Sequence, residues 1–157
     1  MEIRKANINE VEQIANIMKQ IMDLHTKSRP DMFKIKTSKQ IEGEVLEALK
    51  DDNRIVLVAI EENKIYGVLI CKIKYVNSHI NLKDSKSLWI DELGVDEKYK
   101  KRGIGKMLMQ EAEKIAKENK CERLELNCWN FNEVALEFYK KQGIQDQRII
   151  MEKRLEE

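Results

Sequence analysis

Apolar positions recur at helical spacing in four stretches of this chain. Val11, Ile14, Ala15, Met18, Ile21 and Met22 form one stripe, which predicts a helix from a cap at Asn7 or Asn9 to about His25. A second helix is expected from Thr37 or Ser38 to about Leu49. A third, Gly103 to Asn119, carries Ile104, Met107, Leu108, Ala112, Ile115 and Ala116 on one face. A fourth spans Asn132 to Lys141, with Gly143 as its C-terminal cap. Between these lie runs rich in Val, Ile and Leu that read as strands. They are Glu2 to Ala6, Arg54 to Ile60, Lys64 to Val76, Leu88 to Val95, Glu122 to Cys128 and Gln145 to Arg154. Glu61-Glu62-Asn63 joins the second and third strands as a tight hairpin. The order is β-α-α-β-β-β-α-β-α-β. A strand–helix–strand unit implies a parallel pair, so Leu88–Val95 should lie beside Glu122–Cys128. The remaining strands should be antiparallel, giving an α+β fold with a mixed sheet and about four helices.

Composition narrows the class. The chain has 157 residues and 42% apolar content, enough for one domain with one core, residues 1–157. The net charge is only +1, which argues against a general polyanion or nucleic-acid binder. No apolar run reaches membrane-spanning length, and Met1-Glu2-Ile3-Arg4 lacks the apolar start of a secretory signal. Cys71, Cys121 and Cys128 are odd in number, lack metal spacing and read as reduced, buried thiols. A cytoplasmic protein without a metal is the expectation.

Local chemistry is concentrated in one loop. From Lys98 to Lys106 there are five cations and no acid, punctuated by Gly103 and Gly105. A strand leads in and an amphipathic helix leads out. The first amides of a helix have no intrahelical partner and sit at the positive end of its dipole. Glycine lets the main chain approach a phosphate closely. Lys100, Lys101, Arg102, Gly103, Ile104, Gly105 and Lys106 therefore read as a seat for a pyrophosphate. The plainer alternative is a glycine turn before a solvated basic face. A Walker A loop is excluded, because Met107 stands where a hydroxyl is required. A dinucleotide fingerprint is excluded, because Leu108 stands at the third glycine position.

Lys100-x-x-Gly103-x-Gly105 resembles the acetyl-coenzyme A signature of the GNAT superfamily of N-acetyltransferases. Asn132-x-x-Ala135-x-x-x-Tyr139-x-x-x-Gly143 resembles the second half of the same core. The likeness covers about Trp89 to Gln147. Lys100 departs from the usual Arg or Gln and offers a point charge in place of a planar fork. The resemblance implies acetyl-CoA as co-substrate. It also implies a pantetheine arm held along the first of two splayed parallel strands, by main-chain groups of Leu93, Gly94 and Val95. Asn132 would cap the last helix and reach the cofactor arm, and Asn127 lies on the same approach. Gly94 can equally be a bulge that bends the strand.

Amine acetylation needs two proton transfers. An alkylamine is neutral in roughly one molecule in a thousand or fewer at pH 7, about 4–5 kcal/mol of unfavourable ionisation. The departing thiolate also needs a proton. The resemblance places Tyr139 as the acid; a packed tyrosine beside Phe138 is the alternative. Asp91 and Glu92 are the candidate bases, Glu92 first. On a regular strand their side chains point to opposite faces, so only one would meet the acceptor. Trp129, Met32 and Phe33 are candidate acceptor-pocket walls, while His25 and His79 read as surface or capping residues. The expected partner is a small-molecule or peptide amine, with no nucleic acid and no membrane; a homodimer is left open. A non-catalytic acyl-CoA binder and a nucleotide-binding interaction module are the two rival readings.

Overall fold

A computed structural model describes residues 1–155. The chain divides into two compact units, Met1–Asn127 and Cys128–Glu157. The first unit holds a five-stranded sheet in the order β1-β2-β3-β4-β5. Its strands are β1 (Glu2–Lys5), β2 (Arg54–Glu61), β3 (Lys64–Val76), β4 (Ser85–Val95) and β5 (Arg123–Leu126). Its helices are α1 (Val11–Ser28), α2 (Ser38–Lys50) and α3 (Ile104–Glu118). Strands β1 to β4 pair antiparallel, and β5 runs parallel to β4. The mixed sheet and the parallel pair agree with the sequence pattern.

Two layers of helix cover the sheet. Ile14, Ile17 and Met18 of α1 and Ile41, Val45 and Ala48 of α2 cluster with Val56, Val58, Val68 and Ile70. The opposite face carries Leu57, Leu69, Cys71, Leu88 and Ile90, all buried, beneath Leu108, Met109 and Ala112 of α3. Burial on both faces explains why β2 and β3 read as nearly unbroken apolar runs. Gly67 lets α3 seat closely on β3: a Cβ there would lie 2.9 Å from Ile104 Cγ2 and 3.0 Å from Leu108 Cδ1.

The local signals act as expected at most ends. Thr37 and Gln40 form a capping box at the start of α2. Asn7 and Glu10 form another, which nucleates a short 3₁₀ turn (Ile8–Glu10) before α1. Glu62 and Asn63 both adopt positive φ, as a two-residue hairpin with the twist of its strands requires. Helix α1 runs three residues beyond the expected His25, because the chain does not turn until Arg29.

The second unit contains α4 (Glu133–Lys141), with Asn132 Oδ1 accepting from Ala135 N–H at 3.2 Å. Gly143 at φ +84° ends it, and Ile144 N–H donates to Tyr139 C=O at 3.0 Å. The strand expected from Gln145 to Arg154 does not form. Among the described residues no strand is assigned to this segment, and Ile149, Ile150 and Met151 are exposed.

Candidate active site

Strand β4 and the loop after it build the site. β5 pairs with β4 only from Ser87 to Ile90. Beyond Ile90 the same edge of β4, Asp91 to Val95, meets no strand among the described residues. On the other edge, Asp96 N–H donates to Tyr66 C=O at 2.9 Å. Antiparallel bonding alternates, so Gly94 and Glu92 also bond inward to β3, and the main-chain groups of Leu93 and Val95 turn to the open edge. Gly94 has a different constraint. A Cβ there would lie 2.5 Å from Ile21 Cδ1 and 3.1 Å from Ile17 Cγ2, so glycine admits α1 against the strand.

The expected bulge at Gly94 lies elsewhere. Ile70 opposes Glu92 while Cys71 opposes Ile90, so Asp91 is the inserted residue. An insertion breaks the two-residue alternation, because the next residue must cross to the other face. Ile90 then faces α3 with Cys71, whereas Glu92 shares the face of Ile70 and Val68, under α1 and α2. The rule that only one of the two acids can serve a face lapses at a bulge.

Electrostatics separates the pair. Burial pushes the Glu92 carboxyl up to about 7, and repulsion from Asp91 and Glu44 adds to the rise; Lys36 opposes it. Asp91 lies nearer solvent, with Oδ1 3.8 Å from Lys72 Nζ. One carboxyl is thus poised near neutral pH, the range in which a base can take a proton from an ammonium group. Glu44 on α2 is ion-paired with Lys36 and brings a second acid into the field of Glu92. No local motif marks Glu44 or Lys36; only the packing of α2 brings them there.

The loop after β4 is the candidate anion seat. Asp96 caps a 3₁₀ turn (Glu97–Tyr99), and Gln20 of α1 accepts from Glu97 N–H at 2.8 Å. Lys101 and Gly103 take positive φ, 65° and 79°. The first helical bond of α3 runs from Met107 N–H to Gly103 C=O, so the amides of Ile104, Gly105 and Lys106 precede the ladder. Lys101, Arg102, Gly103 and Lys106 are exposed around them; Lys100, also exposed, is drawn to Glu97 at 2.7 Å.

The other expected site residues fall as follows. Asn127 is exposed just past β5. In the second unit Asn132 caps α4, and half-buried Tyr139 meets Phe138 edge-on at 5.4 Å between ring centres. Trp129 stacks with Phe131. Met32 is exposed, while Phe33 packs on His25, whose Nδ1 lies 2.7 Å from Ile21 C=O. His79 Nδ1 accepts from the amides of Asn81 and Leu82, a turn cap. Of the three thiols only Cys71 is fully buried, and burial raises it to about 12. No helix among the described residues is long and apolar enough to cross a membrane.

The chain belongs to the acetyltransferase (GNAT) family, whose model matches residues 18–144. Among solved structures it is similar to a mutant of the BH1408 protein from Bacillus halodurans, 26% identical over 99% of both chains with a TM-score of 0.94. It is also similar in fold to the aminoglycoside N-acetyltransferase AAC(6')-Iy in complex with CoA, at 16% identity and TM-score 0.76, covering 98% of this chain and 93% of that one. A third likeness is to the aminoglycoside acetyltransferase meta-AAC0020 from an uncultured soil metagenomic sample, at 21% identity and TM-score 0.70, over 99% and 96% of the two chains.

Proposed function

We propose that this protein moves the acetyl group of acetyl-CoA to a primary amine by direct attack. The observation that carries the reading is the open edge of β4 running into the unbonded amides of Ile104, Gly105 and Lys106. The amides and the exposed cations of the loop would hold the diphosphate. Leu93 and Val95 would then bond the pantetheine arm as a substitute strand, and an outward amide there would stabilise the oxyanion. Glu92 acts as base, directly or through a water, with Asp91 beside it as the alternative. Tyr139 protonates the departing sulfur; its support is its place in the Asn132-to-Gly143 match. The family match spans both units, which favours treating the chain as one acetyltransferase domain. The acid-rich face suits a cationic acceptor, and the aminoglycoside acetyltransferases of like fold make polyamines and amino sugars the first amines to try.

Thiol release from acetyl-CoA, followed across a panel of amines, tests the reaction. Tyr139→Phe should lower kcat about 10²-fold while leaving the Kd for CoA within about twofold. Unchanged turnover would remove Tyr139 from the mechanism. Absence of thiol release with every amine, combined with tight CoA binding, would favour a non-catalytic acyl-CoA binder. ADP binding as tightly as CoA would favour a nucleotide module, because the arm would then add nothing.

A further inference from the structure

The phosphate loop is braced from the side away from β5 by groups that the signature does not include. Lys64, the first residue of β3, donates from Nζ to Tyr99 Oη at 2.6 Å and lies 4.4 Å from the centre of the Tyr99 ring. Tyr66 meets that ring edge-on, with centroids 4.6 Å apart. The Arg102 guanidinium carbon sits 5.2 Å from the same ring centre. One tyrosine ring thus takes Lys64 from the β2–β3 hairpin and Arg102 from the loop. Tyr66, Tyr99, Arg102 and Ile104 also line a cavity of about 220 Å³.

We infer that Tyr99, with Lys64 and Tyr66, is a positioning residue that holds Arg102 and the amides of Ile104 to Lys106 in register for the coenzyme's diphosphate. The inference rests on the proposed coenzyme site and adds residues to it. Tyr99 does not touch the reacting atoms. Its removal should therefore weaken the grip on the nucleotide end of the co-substrate and leave the acetyl-transfer step unchanged.

The test compares acetyl-CoA with acetyl-pantetheine, which lacks the diphosphate, in wild type, Tyr99→Phe, Tyr99→Leu and Lys64→Met. Tyr99→Leu removes both the ring and the hydroxyl, and should raise KM for acetyl-CoA about tenfold. Its kcat, and its kcat/KM with acetyl-pantetheine, should stay near wild type. Tyr99→Phe keeps the ring under Arg102 and should recover most of the loss; Lys64→Met should resemble Tyr99→Phe. Equal losses on both acyl donors would mark a general structural defect and overturn the inference. So would an unchanged KM in Tyr99→Leu. A wild type that does not prefer acetyl-CoA to acetyl-pantetheine would overturn the coenzyme site itself, and the brace with it.

Discussion

At the scale of the residue, Glu92 makes the sharpest demand. Its carboxyl is raised to about 7 by burial and by Asp91 and Glu44. Below that pH it carries a proton and cannot act as base, so kcat/KM should climb through about pH 7 and level off above it. Glu44→Gln removes a repelling charge and should move the rise to lower pH. Lys36→Met removes the opposing cation and should move it higher. A profile indifferent to both would separate Glu92 from the chemistry. The same shift bears on stability. Between the ordinary carboxylate range and pH 7 the folded state holds a proton that the unfolded chain has released, so stability falls as pH rises through this window. Glu92→Gln keeps the shape without the charge. It should raise stability at pH 8 by on the order of 2 kcal/mol and leave it nearly unchanged at pH 4. Thermal denaturation at the two values measures the difference.

At the scale of the element, the β1–α1 junction depends on one acid. Glu10 accepts from the Asn7 amide at 2.8 Å and pairs with Arg4 of β1, and only 9% of its side chain is exposed. The Arg4 bond holds its carboxyl below the usual range. Glu10→Ala opens the capping box and strips Arg4 of its partner, so it should cost about 2 kcal/mol, or roughly 4–8 °C in Tm. A change under 1 °C would contradict this account. Junctions of this kind are legible in a sequence, because Asn7 and Glu10, or Thr37 and Gln40, act within three residues of each other. The helices were legible for the same reason: stripe and cap are local. The bulge was not. Its position depends on β3 counting one residue fewer than β4, so the expectation fell on Gly94 while the inserted residue is Asp91. Gly94 answers instead to Ile17 and Ile21, more than seventy residues earlier. Gln145 to Arg154 has a strand-like pattern, yet no strand is assigned there among the described residues. In the candidate site, the glycine-led start of α3 at Gly103 could be read from spacing alone. Glu44, Lys36 and Lys64 could not, since each acts across the fold.

At the scale of the whole molecule, charge is nearly balanced, and that makes the loop stand out. A net charge of +1 creates little overall attraction for an anionic coenzyme. Lys101, Arg102 and Lys106 are exposed beside unbonded amides at one end of α3, where the proposed diphosphate would meet them. Screening should then act selectively. The Debye length falls from about 30 Å at 0.01 M salt to about 3 Å at 1 M, which extinguishes attraction between exposed charges and ligand phosphates. KM for acetyl-CoA should rise several-fold, on the order of one factor of ten, across that range. In the proposed site the open edge of β4 would hold its ligand through short main-chain bonds, which salt hardly touches. Acetyl-pantetheine, which would engage only that edge, should therefore show an almost flat dependence. A parallel salt response for the two donors would mean that the cations of the loop do not meet the diphosphate.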